Sequence, residues 1–314
     1  MPDLVGAVHT SDPARRATLR GRATPGEPPT GAASRVGAPW HSSAMTDDAA
    51  LQSGTTSHLA ALTGAATALA AWAETAGTSA AVPTCPGWTV ADLVAHQGMV
   101  HRWAASSLRL DGANIPSTTE ILQDVPAADL LPWFADGVTE LLDTFAATPP
   151  DVAAIVFLND APAPRAFWAR RQAHETTIHS IDALAAGLGR YPTAEETGVD
   201  RDLALDGIDE LLRGFFTRGS SGLAEDRPLR IAVQPTDADR GWLLHARPEG
   251  IVTDRVTHGV PPTTAPGGSA ADAVFSGTAA QLYLGLWNRG TEITSAGRAD
   301  VLDRWHRVQR VRWS

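Results

Sequence analysis

The sequence predicts an α+β protein in which a four-helix bundle precedes a small α+β domain. Up to about residue 218, apolar residues recur at helical spacing in long stretches. After the Gly- and Ser-rich segment 219–222, the chain changes to short runs rich in Val, Ile and Leu that are separated by turn signals. The 314 residues are 43% apolar and 19% charged, a balance typical of a globular protein with a large core.

Composition narrows the possible functions. The formal net charge is −10 and every positive side chain is Arg, so we expect no nucleic-acid partner, because nothing balances the phosphates. One cysteine excludes an internal disulfide. No apolar run approaches the roughly 20 residues of a membrane span, and the first residues lack the apolar core of a signal peptide. We therefore expect a cytoplasmic protein with no membrane partner, either a monomer or a homodimer.

The start of the chain differs from the rest. Residues 1–45 are rich in Pro, Gly, Ser, Thr, Ala and Arg, which predicts a disordered extension. Met45 directly precedes Thr46-Asp47-Asp48, a natural helix start, so it is an alternative initiator. The predicted domains are this extension, a helix bundle over 46–218 and a small α+β domain over 228–314.

The first two helices follow from apolar spacing and a capping residue. An Ala- and Leu-rich stretch predicts a helix over about 47–76, and a second helix is predicted over about 90–108. Thr89 can cap the second helix, with Asp92 near the positive end of its dipole. Because His96 lies on the apolar stripe of this helix, we expect it to face inward.

Three further helices are predicted in the first half. They cover about 127–147, 165–186 and 201–217, and the middle one contains neither Gly nor Pro before its closing glycines. The apolar run 153–158 is either a strand or a packed loop. Long amphipathic helices with a site between them are typical of a bundle.

The second half alternates short strands with two helices. Turn signals separate runs of β-branched and other apolar residues, which is the pattern of a small sheet. Strands are predicted at 229–233, 241–246, 251–256, 271–276 and 293–294, and helices at 278–287 and 300–310.

A carboxylate and two imidazoles form the candidate site. Glu175 and His179 stand one turn apart on the same face of the predicted helix 165–186. The inward-facing His96 is the best candidate for a third ligand, because a buried imidazole needs a partner. This set suits a catalytic Zn²⁺ site with open positions, and Fe²⁺, a less favoured choice, also accepts it.

Two side chains on the same helix have open roles. His174 and His179 are five residues apart, about 140° around the helix, so both cannot easily reach one ion. We expect His174 either behind the ligands or at the surface. Asp182 lies one turn beyond His179 and either orients a ligand or pairs with Arg171.

Other residues near the proposed site have competing interpretations. His101 lies five residues after His96 and could line the cavity, but we favour solvent exposure. Trp88 and Trp168 could wall the cavity, although core packing is the usual role of tryptophan. Cys85 is the only thiol of the chain, and we favour a small buried residue over a nucleophile.

The combined motifs resemble the mycothiol-dependent maleylpyruvate isomerase family, whose members are typical of actinobacteria. The resemblance covers roughly residues 48–314 and implies a DinB-like four-helix bundle with a small C-terminal α+β domain. It rests on Pro86-Gly87-Trp88-Thr89-Val90-Ala91-Asp92-Leu93-Val94-Ala95-His96, on Arg171-x-x-His174-Glu175-x-x-x-His179-x-x-Asp182-Ala183, and on Ser276-Gly277-Thr278-Ala279-Ala280-Gln281-Leu282-Tyr283-Leu284-Gly285-Leu286-Trp287-Asn288-Arg289-Gly290.

The resemblance implies roles for individual residues. His96, Glu175 and His179 match the zinc ligands of the family, and Arg289 matches an arginine that completes the active site. The implied thiol is mycothiol, which adds as a thiolate to a cis double bond, allows rotation and leaves a trans product. Gln97 departs from the leucine that the family usually has after the ligand histidine, and it could change the polarity of the cavity.

We therefore expect a zinc-dependent enzyme that uses a low-molecular-weight thiol, either a cis-trans isomerase of the maleylpyruvate type or a thiol S-transferase. A metal-dependent hydrolase is an alternative, because the same open metal position can activate water. A small-ligand or lipid-binding module is the alternative from another functional class. A small-molecule substrate and a free thiol are the expected partners.

Overall fold

The computed structural model describes residues 43–218, 222–224, 227–257 and 271–308. Up to position 42, the predicted disordered extension lies outside the described residues, as do positions 219–221 of the Gly- and Ser-rich segment. Met45 lies inside the first helix. Among the described residues, no helix combines the length and the apolar composition that crossing a membrane requires.

Four long helices form the first half of the chain, as predicted. A capping box starts α2, in which Thr89 Oγ1 accepts a hydrogen bond from the Asp92 amide at 3.3 Å. A short helix that the sequence analysis missed begins after Ser117 with a second capping box. The helices are α1 (Ser43–Ala76), α2 (Val90–Arg109), the short α3 (Thr118–Asp124), α4 (Leu130–Ala147) and α5 (Pro164–Leu188).

Helix α5 is bounded by the residues that its ends require. Pro164 stands at its first position, where a missing amide hydrogen costs nothing, and Gly189 ends it with a left-handed φ of 67°. The run 153–158 that precedes it is a loop, the second of the two predicted possibilities.

The predicted helix 201–217 is interrupted. After the short α6 (Ala194–Thr197), α7 (Arg201–Asp209) continues as a π-helical turn, Glu210–Phe215. The two acids at this junction contact different partners. Asp209 accepts hydrogen bonds from Trp242 and Arg255 at 2.9 and 2.7 Å, whereas Glu210 pairs with Arg171 of α5. Successive side chains of a helix point about 100° apart, so the two carboxylates reach different partners.

A five-stranded mixed sheet forms the second half, which confirms the α+β class. The strand order is β3-β2-β1-β4-β5, and β1 and β4 pair in parallel while the other neighbours are antiparallel. The elements are β1 (Leu229–Pro235), β2 (Arg240–Arg247), β3 (Gly250–Thr257), β4 (Ala273–Gly277), α8 (Ala279–Leu286), β5 (Thr294–Gly297) and α9 (Asp300–Val308).

The cores of the two halves differ in content. One face of the sheet packs its apolar residues, among them Ile231, Trp242 and Phe275, against α7, α8 and α9. Ile178 of α5 belongs to this same cluster, so the bundle and the sheet share packed surface. The bundle has two apolar clusters of its own. Helices α2 and α5 bury polar side chains where they face each other, and the candidate site lies at this contact.

Candidate metal centre

Helices α2 and α5 bring the three predicted ligands together. His96 Nε2 lies 3.7 Å from Glu175 Oε1, and His179 Nε2 lies 3.3 Å from the same oxygen. The three possible ligand atoms all lie within 4.8 Å of one another, and each residue is at most 5% exposed. The convergence that the sequence predicted is therefore present.

The geometry fits a divalent ion. Ligands about 2.0–2.1 Å from a tetrahedral metal stand roughly 3.3 Å apart, close to the two separations measured here. Glu175 Oε1 is buried and faces both imidazoles at separations longer than a usual hydrogen bond. A buried carboxylate oxygen with such long contacts is well placed to bind a cation. The donor set and this oxygen are what a zinc site requires, and metal binding itself stays a prediction.

Neighbouring charges orient two of the three side chains. His179 Nδ1 lies 2.9 Å from Asp182 Oδ2, so the ring donates its Nδ1 hydrogen there and directs the Nε2 lone pair at the site. Glu175 Oε2 accepts a hydrogen bond from Arg171 at 3.0 Å, which leaves Oε1 for an ion. Arg171 also pairs with Glu210 of the π-helical turn. The π-helical turn after α7 thus supports the candidate metal centre.

The three residues differ in protonation. Burial lowers the pKa of His96, which the nearby Glu175 carboxylate offsets only in part. Burial alone would raise the pKa of Glu175, but His179, His96 and Arg171 outweigh it and hold that pKa well below its usual range. Burial alone would lower the pKa of His179, but Asp182 and Glu175 raise it to about 9. Without metal, only His179 of the three holds a dissociable proton at neutral pH.

Arg289 reaches the site from the segment after α8. Its Nε and Nη2 lie 2.9 and 3.0 Å from the two oxygens of Asp182, the residue that also holds His179. Nη2 also lies 3.2 Å from Cys85 Sγ, and Nη1 donates to the Trp287 carbonyl at 3.0 Å. Asp182 therefore occupies the Nε–Nη2 edge of the guanidinium, one of the two edges that can grip a carboxylate bidentately.

Cys85 is half-buried and shares this cluster. Its thiol donates to Asp182 Oδ2 at 3.2 Å. Burial and the Asp182 carboxylate raise the pKa of the Cys85 thiol far above its usual value, with only partial compensation from Arg289. A thiol in this state is a poor nucleophile.

The two tryptophans occupy different places. Trp88 packs against the centre, with its ring 5.0 Å from that of His96 and stacked at 6.1 Å on that of His179. Trp168 is fully buried and contacts Trp103 edge-to-face at 4.9 Å, within the aromatic core of the bundle. Trp88 therefore covers the ligands, and Trp168 has the packing role that we favoured.

His101 is not solvent-exposed, and the expectation that it would be is wrong. The side chain is fully buried, with Nε2 2.9 Å from Thr176 Oγ1 and 2.8 Å from the Gln97 amide nitrogen. The helical angle between His101 and His96 correctly separates their roles, but α5 covers the side of α2 on which His101 lies. The amide of Gln97 is fully buried in this network.

His174 is neither at the surface nor behind the metal ligands. It is fully buried and contacts Asp206 of α7 at 2.8 Å and the Tyr283 hydroxyl at 3.3 Å. Helices α7 and α8 together cover the side of α5 that bears His174, and the sequence alone did not show that this side is buried. Asp182 takes the first of its two predicted roles, because its carboxylate contacts His179 and Arg289.

Sequence reasoning missed two supporting residues. Arg171 and Glu175 are four residues apart on a helix, a spacing that predicts an ion pair and could have identified Arg171 as the support of the ligand. Glu210 has no comparable signal, because it is 39 residues from Arg171 in the chain.

Two family models match the chain. The mycothiol maleylpyruvate isomerase N-terminal domain matches residues 59–184, and the C-terminal domain of the same family matches residues 202–304. The chain belongs to this family. The resemblance seen in the sequence motifs is thereby confirmed, and the two matches cover the helical half and most of the sheet half.

Solved structures share the fold. A crystal structure of the mycothiol-dependent maleylpyruvate isomerase matches with a TM-score of 0.55 and 15% identity, over 82% of this chain and 97% of that chain. A histidine-to-alanine mutant of that enzyme matches with a TM-score of 0.54 and 13% identity over the same shares. A search of curated proteins by sequence gives no match.

Proposed function

We propose that this chain is a zinc-dependent enzyme that uses mycothiol to convert a maleylpyruvate-type cis substrate into its trans isomer. The observation that carries the proposal is the buried triad His96, Glu175 and His179, in which one Glu175 oxygen faces both imidazoles at 3.7 and 3.3 Å. Membership of a family named for mycothiol and maleylpyruvate supports the choice of thiol and substrate.

The triad would hold the ion, and the residues around it prepare the triad. When bound, zinc supplies a Lewis acid that lowers the pKa of a coordinated thiol. Asp182 keeps the proton of His179 on Nδ1, and Arg171 holds Glu175 Oε2. Because of these two contacts, His179 and Glu175 need not reorient when the ion and the thiol bind.

The nucleophile is an external thiol. Cys85, the one thiol of the chain, is held between Asp182 and Arg289 and has a raised pKa. A thiolate, and not a thiol, is the attacking species. A small thiol that enters from solution and ionises at the centre therefore fits the site better than Cys85.

The reaction requires no oxidant and no net proton. The thiolate forms a carbon–sulfur bond at the cis double bond, and the π electrons move onto the conjugated carbonyl oxygen. The former carbon–carbon double bond is now a single bond, and rotation about it follows. The carbonyl then re-forms, the carbon–sulfur bond breaks and the thiolate leaves. Arg289 contributes positive charge beside this path, while its pairing with Asp182 keeps that carboxylate ionised.

The direct test is turnover by metal-loaded protein. Purified protein with Zn²⁺, mycothiol and maleylpyruvate should consume the cis substrate and yield the trans isomer, followed by NMR. His96→Ala should abolish turnover, whereas His245→Ala, a histidine of the sheet, should not. Turnover that persists in His96→Ala, or protein that binds no stoichiometric metal, would contradict the proposal.

A thiol S-transferase on the same centre is the second candidate. The observation in its favour is the occupied guanidinium of Arg289. Asp182 holds its Nε–Nη2 edge, and the Trp287 carbonyl and Cys85 contact Nη1 and Nη2, so a substrate carboxylate must displace one of these partners to bind bidentately. An electrophile without a carboxylate makes no such demand. Mycothiol conjugation to an uncharged electrophile such as monochlorobimane, without isomerisation of maleylpyruvate, would favour the transferase, and turnover without any thiol would favour hydrolysis.

A further inference from the structure

We propose that His58 of α1, His174 of α5 and Asp206 of α7 form a second site, which binds a divalent transition-metal cation of the zinc class. This inference does not depend on the proposed function. It rests on a separate cluster of side chains and on the cavity beside that cluster.

The cluster repeats the donor set of the first centre. His58 Nε2 lies 3.0 Å and His174 Nε2 lies 2.8 Å from Asp206 Oδ2, and the three possible ligand atoms lie within 4.8 Å of one another. The donors come from three helices, 148 and 32 residues apart in the chain. Two imidazoles and a carboxylate are a common zinc donor set.

The surroundings allow His174 to act as a ligand. Its Nδ1 lies 3.3 Å from the hydroxyl of Tyr283, a group that can donate or accept. When the Nδ1 hydrogen points at Tyr283, the Nε2 lone pair faces Asp206 and is available to an ion. Asp206 is fixed by Arg170, which donates to its carbonyl at 2.7 Å and to Oδ2 at 2.8 Å. Both imidazoles face the same Oδ2, so an ion competes with Arg170 for this oxygen.

A cavity gives an ion and its water ligands access. It has a volume of about 800 Å³, and both His58 and Asp206 line it. Thr177 of α5 lines it too, is 5% exposed, and its hydroxyl has no hydrogen-bond partner among the described residues. A metal-bound water in the cavity would supply that partner. Asp200 and Asp202 add negative charge to the same walls, and Arg240 adds one positive charge.

The competing interpretation is a hydrogen-bond network without an ion. Separations of 2.8–3.0 Å are those of hydrogen bonds and are shorter than the roughly 3.3 Å between ligands of a tetrahedral ion, so ion binding requires these side chains to move a few tenths of an ångström apart. Arg170 also brings a positive charge to Asp206. That charge is shared, because Arg170 also lies 3.4 Å from Asp209.

The experiment counts zinc equivalents. Metal-stripped full-length protein is titrated with Zn²⁺ against a chromogenic chelator, alongside four variants. His58→Gln keeps an amide donor for Asp206 but removes the imidazole ligand. His245→Gln is the matched control, because that histidine is also part-exposed and lies 3.5 Å from Asp254. His96→Ala removes the first centre, and the double variant His58→Gln/His96→Ala removes both.

The second site predicts that His58→Gln binds one equivalent fewer than the wild type and His245→Gln the same number. His96→Ala, in which the second cluster is intact, should keep one equivalent that the double variant lacks, a result that does not depend on the fold of the single His58 variant. Equal zinc binding by wild type and His58→Gln, with no difference between His96→Ala and the double variant, would overturn the inference and leave the first centre intact. If His58→Gln loses a zinc equivalent and His96→Ala loses none, the second site is supported and the proposed function is contradicted.

Discussion

The interiors of the two halves of this chain are built differently. Between α2 and α5, the bundle buries charged and polar side chains, whereas the core of the sheet half is almost wholly apolar. The buried polar residues of the bundle include His96, Gln97, His101, Arg171, Gln172, His174, Glu175, Thr176, His179 and Asp182. The sheet core includes Leu229, Ile231, Val233, Trp242, Leu244, Phe275, Leu282, Leu286, Val301 and Trp305.

This difference separates stability from chemistry. Burying charge costs several kcal/mol per ion unless partners offset it, so a polar interior is weak evidence for stability. Apolar burial stabilises at about 25 cal/mol per Å². The sheet half and the apolar clusters of the bundle therefore stabilise the fold, and the layer between α2 and α5 holds a site. Substitutions in the two interiors should accordingly affect different measurements.

The largest effect is expected on activity when a ligand of the first centre is lost. His96→Ala should lower kcat/KM at least about a thousandfold, since metal-ion stabilisation of transition-state charge is worth several kcal/mol. The fold should persist, as measured by circular dichroism. A variant with near-normal kcat/KM would show that the polar interior has no catalytic role.

The next largest effect concerns stability. Arg171→Met leaves Glu175 and Glu210 buried without their shared cation, and should cost about 3–5 kcal/mol of unfolding free energy in metal-free protein. The exposed pair Arg190–Glu196 is the control, where Arg190→Met should leave the unfolding free energy almost unchanged because solvent screens the pair. Zinc should reduce the first loss, because the ion neutralises Glu175. Equal losses in both variants by urea denaturation would contradict this account.

Loss of the carboxylate behind His179 should weaken metal binding. Asp182→Asn removes the acceptor that orients the ring, and zinc affinity should fall about 10–100-fold in a chelator competition. Asp254→Asn, at an exposed carboxylate of β3, should leave the affinity unchanged. Unchanged affinity in Asp182→Asn would mean that packing alone holds the ligand.

Metal binding should depend on pH through one proton. Because the pKa of His179 is raised to about 9, zinc must displace its proton at neutral pH, and affinity should rise about tenfold per pH unit between roughly pH 7 and 8.5. In metal-free protein the same shift stabilises the fold below the ordinary histidine pKa of about 6.5, and this stability is lost as pH rises through 9. Asp182→Asn should lower the pKa of His179 and flatten the slope. Calorimetry in buffers of different ionisation enthalpy counts the protons released.

The smallest effect is expected in the apolar core. Ile231→Val removes one buried methylene from β1 and should cost about 0.5–1.5 kcal/mol of unfolding free energy. Zinc affinity and kcat/KM should not change. A change in metal affinity would show that the two interiors are coupled more tightly than their contacts indicate.

Much of the fold could be predicted because its signals are local. The four long helices begin and end within a few residues of the predicted positions, since apolar periodicity and the Thr89 cap act over one or two turns. The short helix α3 was missed because seven residues give too little periodicity. The parallel pairing of β1 with β4 has no signal in either strand, because it depends on which edge the chain returns to.

The site residues likewise divide into those that local spacing predicts and those that depend on tertiary contacts. Glu175 and His179 could be paired from their spacing, and His96 could be added because it faces inward. The burial of His101 and His174 could not be predicted, since helical angle shows which face a residue lies on but not what covers that face. The pairing of Arg289 with Asp182 spans 107 residues and depends on how the segment after α8 packs on the bundle.

The sequence by itself determined the class of the fold, the helix bearing Glu175 and His179, and the chemistry that two imidazoles and a carboxylate can perform. The tertiary structure decided which charges stand beside them: Asp182 and Arg171 behind the ligands, and Asp206 against His174. The physical reason is range. Backbone preferences and side-chain periodicity act over a few residues, whereas the pKa of a buried group and the direction of its lone pair depend on atoms that only folding brings within about 4 Å.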